Sequence, residues 1–235
     1  HIGYADVWIN NAVYTGGNIK PSIQIKYENE KLKAGRDYTY TYSKASRAGE
    51  KIYITINGKG DYYGKLEGYI IISKKPINNF KVKGISAAKA YTGKNITQKI
   101  SVYNGKKKLK TSDYTVKYYR NRYPGKVTVK ITGKGNYSGT ITKTFNIVPA
   151  KMKKASAKAG KQKITVSYKK AAGADVYQIA YSMNKKKFQY VTVDAKNLKT
   201  VLQGLKSKRN YFIKVRAYKT IEGKKFYGAF SDISQ

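Results

Sequence analysis

The chain repeats itself, and that repeat limits the fold more than any other feature. Tyr14-Thr15-Gly16 recurs as Tyr91-Thr92-Gly93, and Asp37-Tyr38-Thr39 as Asp113-Tyr114-Thr115. Gly58-Lys59-Gly60-Asp61-Tyr62-Tyr63-Gly64 recurs as Gly133-Lys134-Gly135-Asn136-Tyr137-Ser138-Gly139. The landmarks keep their order at offsets of 77, 76 and 75 residues, a drift that needs only single-residue deletions in loops. Such self-similarity marks a duplicated structural unit. Within it the apolar residues alternate: Val127, Val129 and Ile131 face one way, and Lys126, Thr128, Lys130 and Thr132 the other. That is the period of a half-buried antiparallel strand. Ile52-Tyr53-Ile54-Thr55-Ile56 reads the same in the first copy, and Gly-Lys-Gly-Asx-Tyr follows both as a turn whose glycines supply positive φ.

At 235 residues the chain has room for two or three sandwiches of about 75 to 100 residues each. Its 24 tyrosines, with Thr, Val and Ile, favour strands. With no cysteine, each core is held by packing alone. The formal net charge of +37 creates a long-range field that attracts polyanions. Only Arg36, Arg47, Arg120, Arg122, Arg209 and Arg216 are arginines, so nearly all of it is lysine, a hydrated point charge. No apolar run approaches the ~18 residues of a membrane span, and the opening His-Ile-Gly-Tyr lacks a signal-peptide pattern. Any targeting signal or wall anchor is expected outside this segment.

Tyr91-Thr92-Gly93-Lys94-Asn95-Ile96, Asp113-Tyr114-Thr115-Val116-Lys117-Tyr118 and Ile131 to Thr140 resemble the bacterial immunoglobulin-like repeats of large surface proteins of Gram-positive anaerobes. The resemblance covers residues 1 to about 149 and implies spacer and adhesion modules, extracellular at the cell surface or secreted. Val148-Pro149-Ala150 and the Lys/Ala stretch to Lys163 read as a linker. Beyond it, Ile164–Tyr168, Val176–Tyr181, Tyr190–Val193 and Tyr211–Tyr218 are strand-like and resemble a fibronectin type III domain. Leu205 followed by Tyr211 resembles that fold's tyrosine corner, which implies that the Tyr211 hydroxyl bonds to nearby backbone. Tyr168 stands where a core Trp is usual, and little chain is left for a final strand. The turn before that strand reads Glu222-Gly223-Lys224-Lys225-Phe226-Tyr227 without Arg-Gly-Asp, so integrin recognition has no support. The expectation is an all-β, elongated chain of three tandem β-sandwich domains: Ig-like repeats at 1–74 and 75–149, and a fibronectin type III-like domain at 150–235. Three in line would reach about 100 Å.

Catalysis needs groups with tunable pKa values gathered in a cleft. His1 is the only histidine, so no catalytic residue, metal ligand or cofactor site is assigned. Glu28 and Glu30 read as a solvated turn, and the recurring Asp37 and Asp113 as turn acceptors for backbone N–H groups. A Lys-Asn isopeptide crosslink resembles chemistry needing a buried carboxylate. The second repeat has only Asp113, while the first keeps Glu28, Glu30, Glu50 and Glu67. Lys106-Lys107-Lys108 and Lys185-Lys186-Lys187 sit on expected hairpin turns and can gather anions without sequence preference. In Tyr118-Tyr119-Arg120-Asn121-Arg122-Tyr123-Pro124-Gly125, Tyr and Arg crowd a strand end and turn, the residue types that dominate binding hot spots. The candidate ligand residues are therefore Tyr119, Arg120, Arg122 and Tyr123, with Lys106, Lys107 and Lys108. The expected partner is an anionic cell-wall polymer or glycan, or a host surface protein, met by a monomeric segment of a larger chain. Neither specific nucleic-acid recognition nor membrane insertion is expected.

Overall fold

The computed structural model describes residues 1–235. Its regular structure is strand throughout, apart from the single 3-10 turns Ile2–Tyr4 and Thr111–Asp113. No helix is long and apolar enough to cross a membrane. The chain forms two compact units, one of His1–Lys81, Ser101–Val116 and Ile131–Ile141, the other of Val82–Ile100, Lys117–Lys130 and Thr142–Gln235.

In the first unit, strands Asp6–Ile9, Ile23–Tyr27 and Glu30–Lys31 form one sheet, and Tyr38–Tyr42, Lys51–Gly58 and Lys65–Ile71 another. Both contribute to one core in which Ile25 and Ile52 are fully buried. Alternation drives this: Ile52, Ile54 and Ile56 point inward while Lys51 and Tyr53 point out. Glu28 and Asn29, at φ 48° and 69°, are the two central residues of the hairpin turn between Tyr27 and Glu30, as a primed turn requires.

The duplication reappears bond for bond. The Lys59 N–H donates to Asp37 O at 2.9 Å, and the Lys134 N–H to Asp113 O at 2.8 Å. Gly58 N–H reaches Gly64 O at 2.9 Å, and Gly133 N–H reaches Gly139 O at 3.0 Å. A Cβ on Gly58 would lie 2.5 Å from Tyr62 O, and one on Gly133 2.8 Å from Ser138 N, so the backbone approach that forms the turn admits only glycine. Gly60 and Gly135 take φ of +64° and +63°.

Asp37 and Asp113 are turn acceptors, taking the Lys33 N–H at 2.7 Å and the Lys110 N–H at 2.9 Å. Asp37 also accepts two hydrogen bonds from Arg36, at 2.7 and 2.9 Å. The Arg36 guanidinium first, and the Lys33 N–H second, hold its carboxyl below its ordinary value of 3.8. A carboxylate favoured by the fold contributes stability above its unfolded pKa and loses that contribution as pH falls through its folded pKa. Asp37→Asn is therefore expected to flatten the acid limb of a urea-midpoint profile below about pH 4. A profile that overlays wild type would contradict it. Glu28, Glu30, Glu50 and Glu67 are all exposed, so none offers the buried carboxylate an isopeptide crosslink needs. Glu50 instead accepts the Ser46 and Arg47 N–H groups.

In the second unit, strands Ser156–Gly160, Lys163–Ser167 and Lys199–Leu202 pair in that order, as do Gln189–Asp194, Val176–Ser182, Phe212–Ile221 and Lys224–Tyr227. Both sheets contribute to a core around Val166, Leu202, Tyr177, Ile179, Ile213 and Val215, which makes this a β-sandwich. The chain is thus all-β, a tandem β-sandwich protein. The Tyr211 hydroxyl accepts the Lys206 N–H at 2.9 Å beside buried Leu205, the bond the tyrosine corner implied. One expectation needs correction. The linker already contains a strand, because Ala157 alternates inward against the core while Ser156 and Lys158 point to solvent. The final strand is interrupted: Lys224–Tyr227 pairs with Tyr218 to Ile221, the chain bends, and Ser231 and Ser234 rejoin the same edge at Val215 and Ile213.

Tyr168 is 7% exposed, edge-on to Tyr177 at 4.9 Å. Burial pushes its phenol pKa up, with Thr200 acting in the opposite sense, yet its hydroxyl makes no hydrogen bond of good geometry. An unsatisfied buried hydroxyl costs about 1–3 kcal/mol. Tyr168→Phe is accordingly expected to hold or raise the unfolding free energy, measured by urea titration, by up to about 1 kcal/mol. A loss of more than that would mean that the hydroxyl is satisfied in solution.

Candidate functional site

The Tyr/Arg turn forms one wall of a cleft of about 630 Å³ within the second unit. The wall is pinned from behind. The Asn121 side chain donates to Ile96 O at 3.0 Å, and the Ile96 N–H donates to Asn121 O at 2.7 Å. Tyr118 is also anchored, its hydroxyl donating to Gln98 O at 2.6 Å and accepting the Gln98 N–H at 3.0 Å. With Asn121 and Tyr118 fixed, the neighbouring Arg120, Arg122 and Tyr123 stand exposed. Pro124 and Tyr91 pack over Gly173, where a Cβ would lie 2.9 and 2.7 Å from their atoms.

The facing wall is the hairpin of Phe212–Ile221 and Lys224–Tyr227, closed by Glu222 and Gly223 at φ 49° and 75°. It carries Ile221, Lys224 and the largely buried Phe226 into the cleft. At Gly125, φ +137°, a Cβ would sit 3.1 Å from Ile221 Cδ1, so glycine lets the walls approach. The floor is apolar: Pro124, Ile221 and Phe226. The rim holds Arg120, Arg122, Lys126 and Lys224 against a single acid, Glu222. None of the four cations is ion-paired. Arg122 lies 5.7 Å from the Tyr123 ring and Lys224 5.8 Å from the Phe226 ring.

The other expected residues lie elsewhere. Tyr119 points away from the cleft, its ring beneath Lys130 at 5.5 Å. Lys106, Lys107 and Lys108 are exposed on the hairpin after Ser101–Asn104, in the first unit. Asn184 accepts the Lys186 and Lys187 N–H groups, while Lys185 lies 4.3 Å from the Phe212 ring.

Sequence reasoning missed two features. The first is a basic notch of about 420 Å³ in the second unit, where Lys161, Lys163, Lys206, Lys208 and Arg209 meet and no acid enters. Its two loops are held together by the Leu205 N–H donating to Gln162 O at 3.0 Å. They lie more than forty residues apart in the chain, so no local pattern shows it. The second is a ladder on the outward face of Phe212–Ile221. Lys214 lies between Phe188 and Phe230 at 4.1 and 4.6 Å, and Arg216 between Phe230 and Tyr227 at 4.4 and 3.9 Å. Burial pushes the Arg216 pKa down, and its Nε donates to Gln178 Oε1 at 2.8 Å. Sheathed by rings, these two cations stabilise the sheet face and leave ligand contact to the free ones.

No family model matches the chain, and no curated protein does. Among solved structures it is similar to the FN1–FN3 domains of chicken CNTN1, at 14% identity over 97% of this chain and 96% of that one, with a TM-score of 0.34. It is also similar to a two fibronectin type-III domain segment from chicken tenascin, at 14% identity over 97% of each chain and a TM-score of 0.35. Likeness of this degree carries nothing about ligand or activity.

Proposed function

We propose that this chain is a noncatalytic stalk and interaction segment of a larger cell-surface or secreted bacterial protein, organised as domains 1–74, 75–149 and 150–235, that holds anionic polymers through its lysine-rich surface. One observation carries the reading: the charge is uneven. Residues 1–74 hold 11 basic and 7 acidic side chains, 75–149 hold 17 and 1, and 150–235 hold 21 and 4. Mixed charges on a surface serve solubility, whereas an almost unopposed set creates a field that gathers polyanions. The basic notch supports this, since it converges five cations on one concavity. Lysine suits the task because a hydrated point charge binds a polymer without demanding a particular geometry. A cell-wall polymer, an acidic glycan or an acidic patch of a host surface protein is the partner class. The test is retention of the whole chain on immobilised heparin and on neutral dextran: retention on heparin alone is expected, and equal retention on both would contradict it.

A second reading, a carbohydrate-binding accessory module of an extracellular glycan-degrading enzyme, draws on Tyr53 and Tyr69. They are cross-strand partners, 58% and 50% exposed. Their rings are inclined by 58° and Lys51 lies 3.9 Å from the Tyr69 ring, so they do not form one flat platform. The polymer-holding reading is preferred.

A further inference from the structure

We infer that the cleft between the Tyr/Arg turn and the Ile221–Phe226 hairpin is a specific site for a carboxylate-bearing sugar, one or a few residues of an acidic glycan. The inference rests on the polymer-holding reading and narrows it to one place and one chemistry. Three observations carry it. Two of only six arginines in a chain of lysines stand two residues apart at this rim, and the guanidinium fork matches a planar carboxylate where an ammonium does not. Arg120 holds φ +60°, a backbone conformation that disfavours a side chain with a Cβ and that concentrates at ligand sites. Unlike Glu222, it does not sit in a two-residue hairpin turn that demands such a conformation. The floor of Phe226, Ile221 and Pro124 is apolar, with Tyr123 63% exposed at the edge.

A hexuronate offers the matching pair of surfaces, a flat face of C–H groups for the floor and ring, and a carboxylate at its edge for Arg120 and Arg122. The cleft's volume of about 630 Å³ lies in the range of small-ligand sites, ~300–1,000 Å³. A nucleic-acid strand is disfavoured because, of the residues lining the cleft, only one exposed ring, Tyr123, is offered for stacking. An acidic peptide would add to the open edge of Lys224–Tyr227 through its backbone, so its binding would not depend on Tyr123.

The experiment is calorimetric titration of the intact chain with tetragalacturonate, its methyl ester and tetraglutamate, in low and in moderate salt. Tetragalacturonate is expected to bind in both. The methyl ester is expected to bind at least about tenfold more weakly, since it loses the charge-assisted bonds. Arg120→Gly, Arg122→Ala and Tyr123→Ala should each weaken tetragalacturonate by about tenfold or more. Glycine suits φ +60°, so Arg120→Gly removes the guanidinium with the turn intact. The triple variant Lys20→Ala, Lys26→Ala, Lys44→Ala removes more charge, all of it exposed and outside the cleft, and should change affinity by less than about twofold. Equal weakening by the triple variant and the cleft variants would overturn the site and leave the polymer-holding reading standing. So would binding of heparin without tetragalacturonate. Tetraglutamate binding as tightly as tetragalacturonate would overturn the sugar. Binding of neither heparin nor tetragalacturonate would overturn both readings.

Discussion

Raising sodium chloride from 50 to 200 mM is expected to weaken the chain's hold on a long flexible polyanion by roughly 300- to 2,000-fold. That range follows from about six anionic groups contacted at once, each adding about −0.7 to −0.9 to the slope of log K against log salt. Six is a modest number for a chain that converges five cations in one notch and has 38 basic side chains over residues 75–235, 17 in 75–149 and 21 in 150–235. The cations of the notch are exposed, and exposed charges are screened over about 10 Å at 0.1 M salt. The cleft should behave differently. Part of its binding comes from the apolar floor, so tetragalacturonate affinity should fall far less over the same range. A polyanion affinity indifferent to salt would contradict the proposed function.

Tyr177→Ala is expected to cost about 3–5 kcal/mol. Tyr177 is fully buried, meets Tyr168 at 4.9 Å in an edge-on contact, and accepts the Ala171 N–H at 3.0 Å through its hydroxyl. Truncation leaves a cavity and an orphaned backbone donor together. Tyr177→Phe separates the two, because the ring stays and only the acceptor goes, at about 1–3 kcal/mol. With no disulfide to limit the unfolded chain, small domains of typical stability, ~5–15 kcal/mol in all, have little reserve. Urea midpoints for the two variants should fall in that order. Equal losses would mean that the hydroxyl, not the packing, holds the core.

The residues of the cleft were legible in the sequence on one wall only. Tyr and Arg types crowded between strands drew attention to Arg120, Arg122 and Tyr123, and all three line the cleft. The facing wall, Ile221 to Phe226, lies about a hundred residues later, and its own residues carry no motif that links it to the first wall. Pairing of distant segments leaves no periodic trace, whereas period-two burial does, which is why Val127, Val129 and Ile131 were placed correctly. Ser156–Gly160 was missed because alanine and lysine carry little strand propensity. Tertiary pairing with Lys163–Ser167 makes the strand regardless. Lys214 and Arg216 lie on the outward face of their strand, and the rings that flank them come from other segments of the chain, so no local pattern shows the ladder.

The central claim is that charge on residues 75–235, and not on 1–74, gathers the polymer. Lysine acetylation footprinting of the intact chain, with and without saturating heparin at low salt, tests it most directly. Protection is expected at Lys161, Lys163, Lys206 and Lys208, while Lys20, Lys26 and Lys44 react as in the free chain. Protection spread evenly over all of these lysines, or concentrated on the last three, would contradict the account.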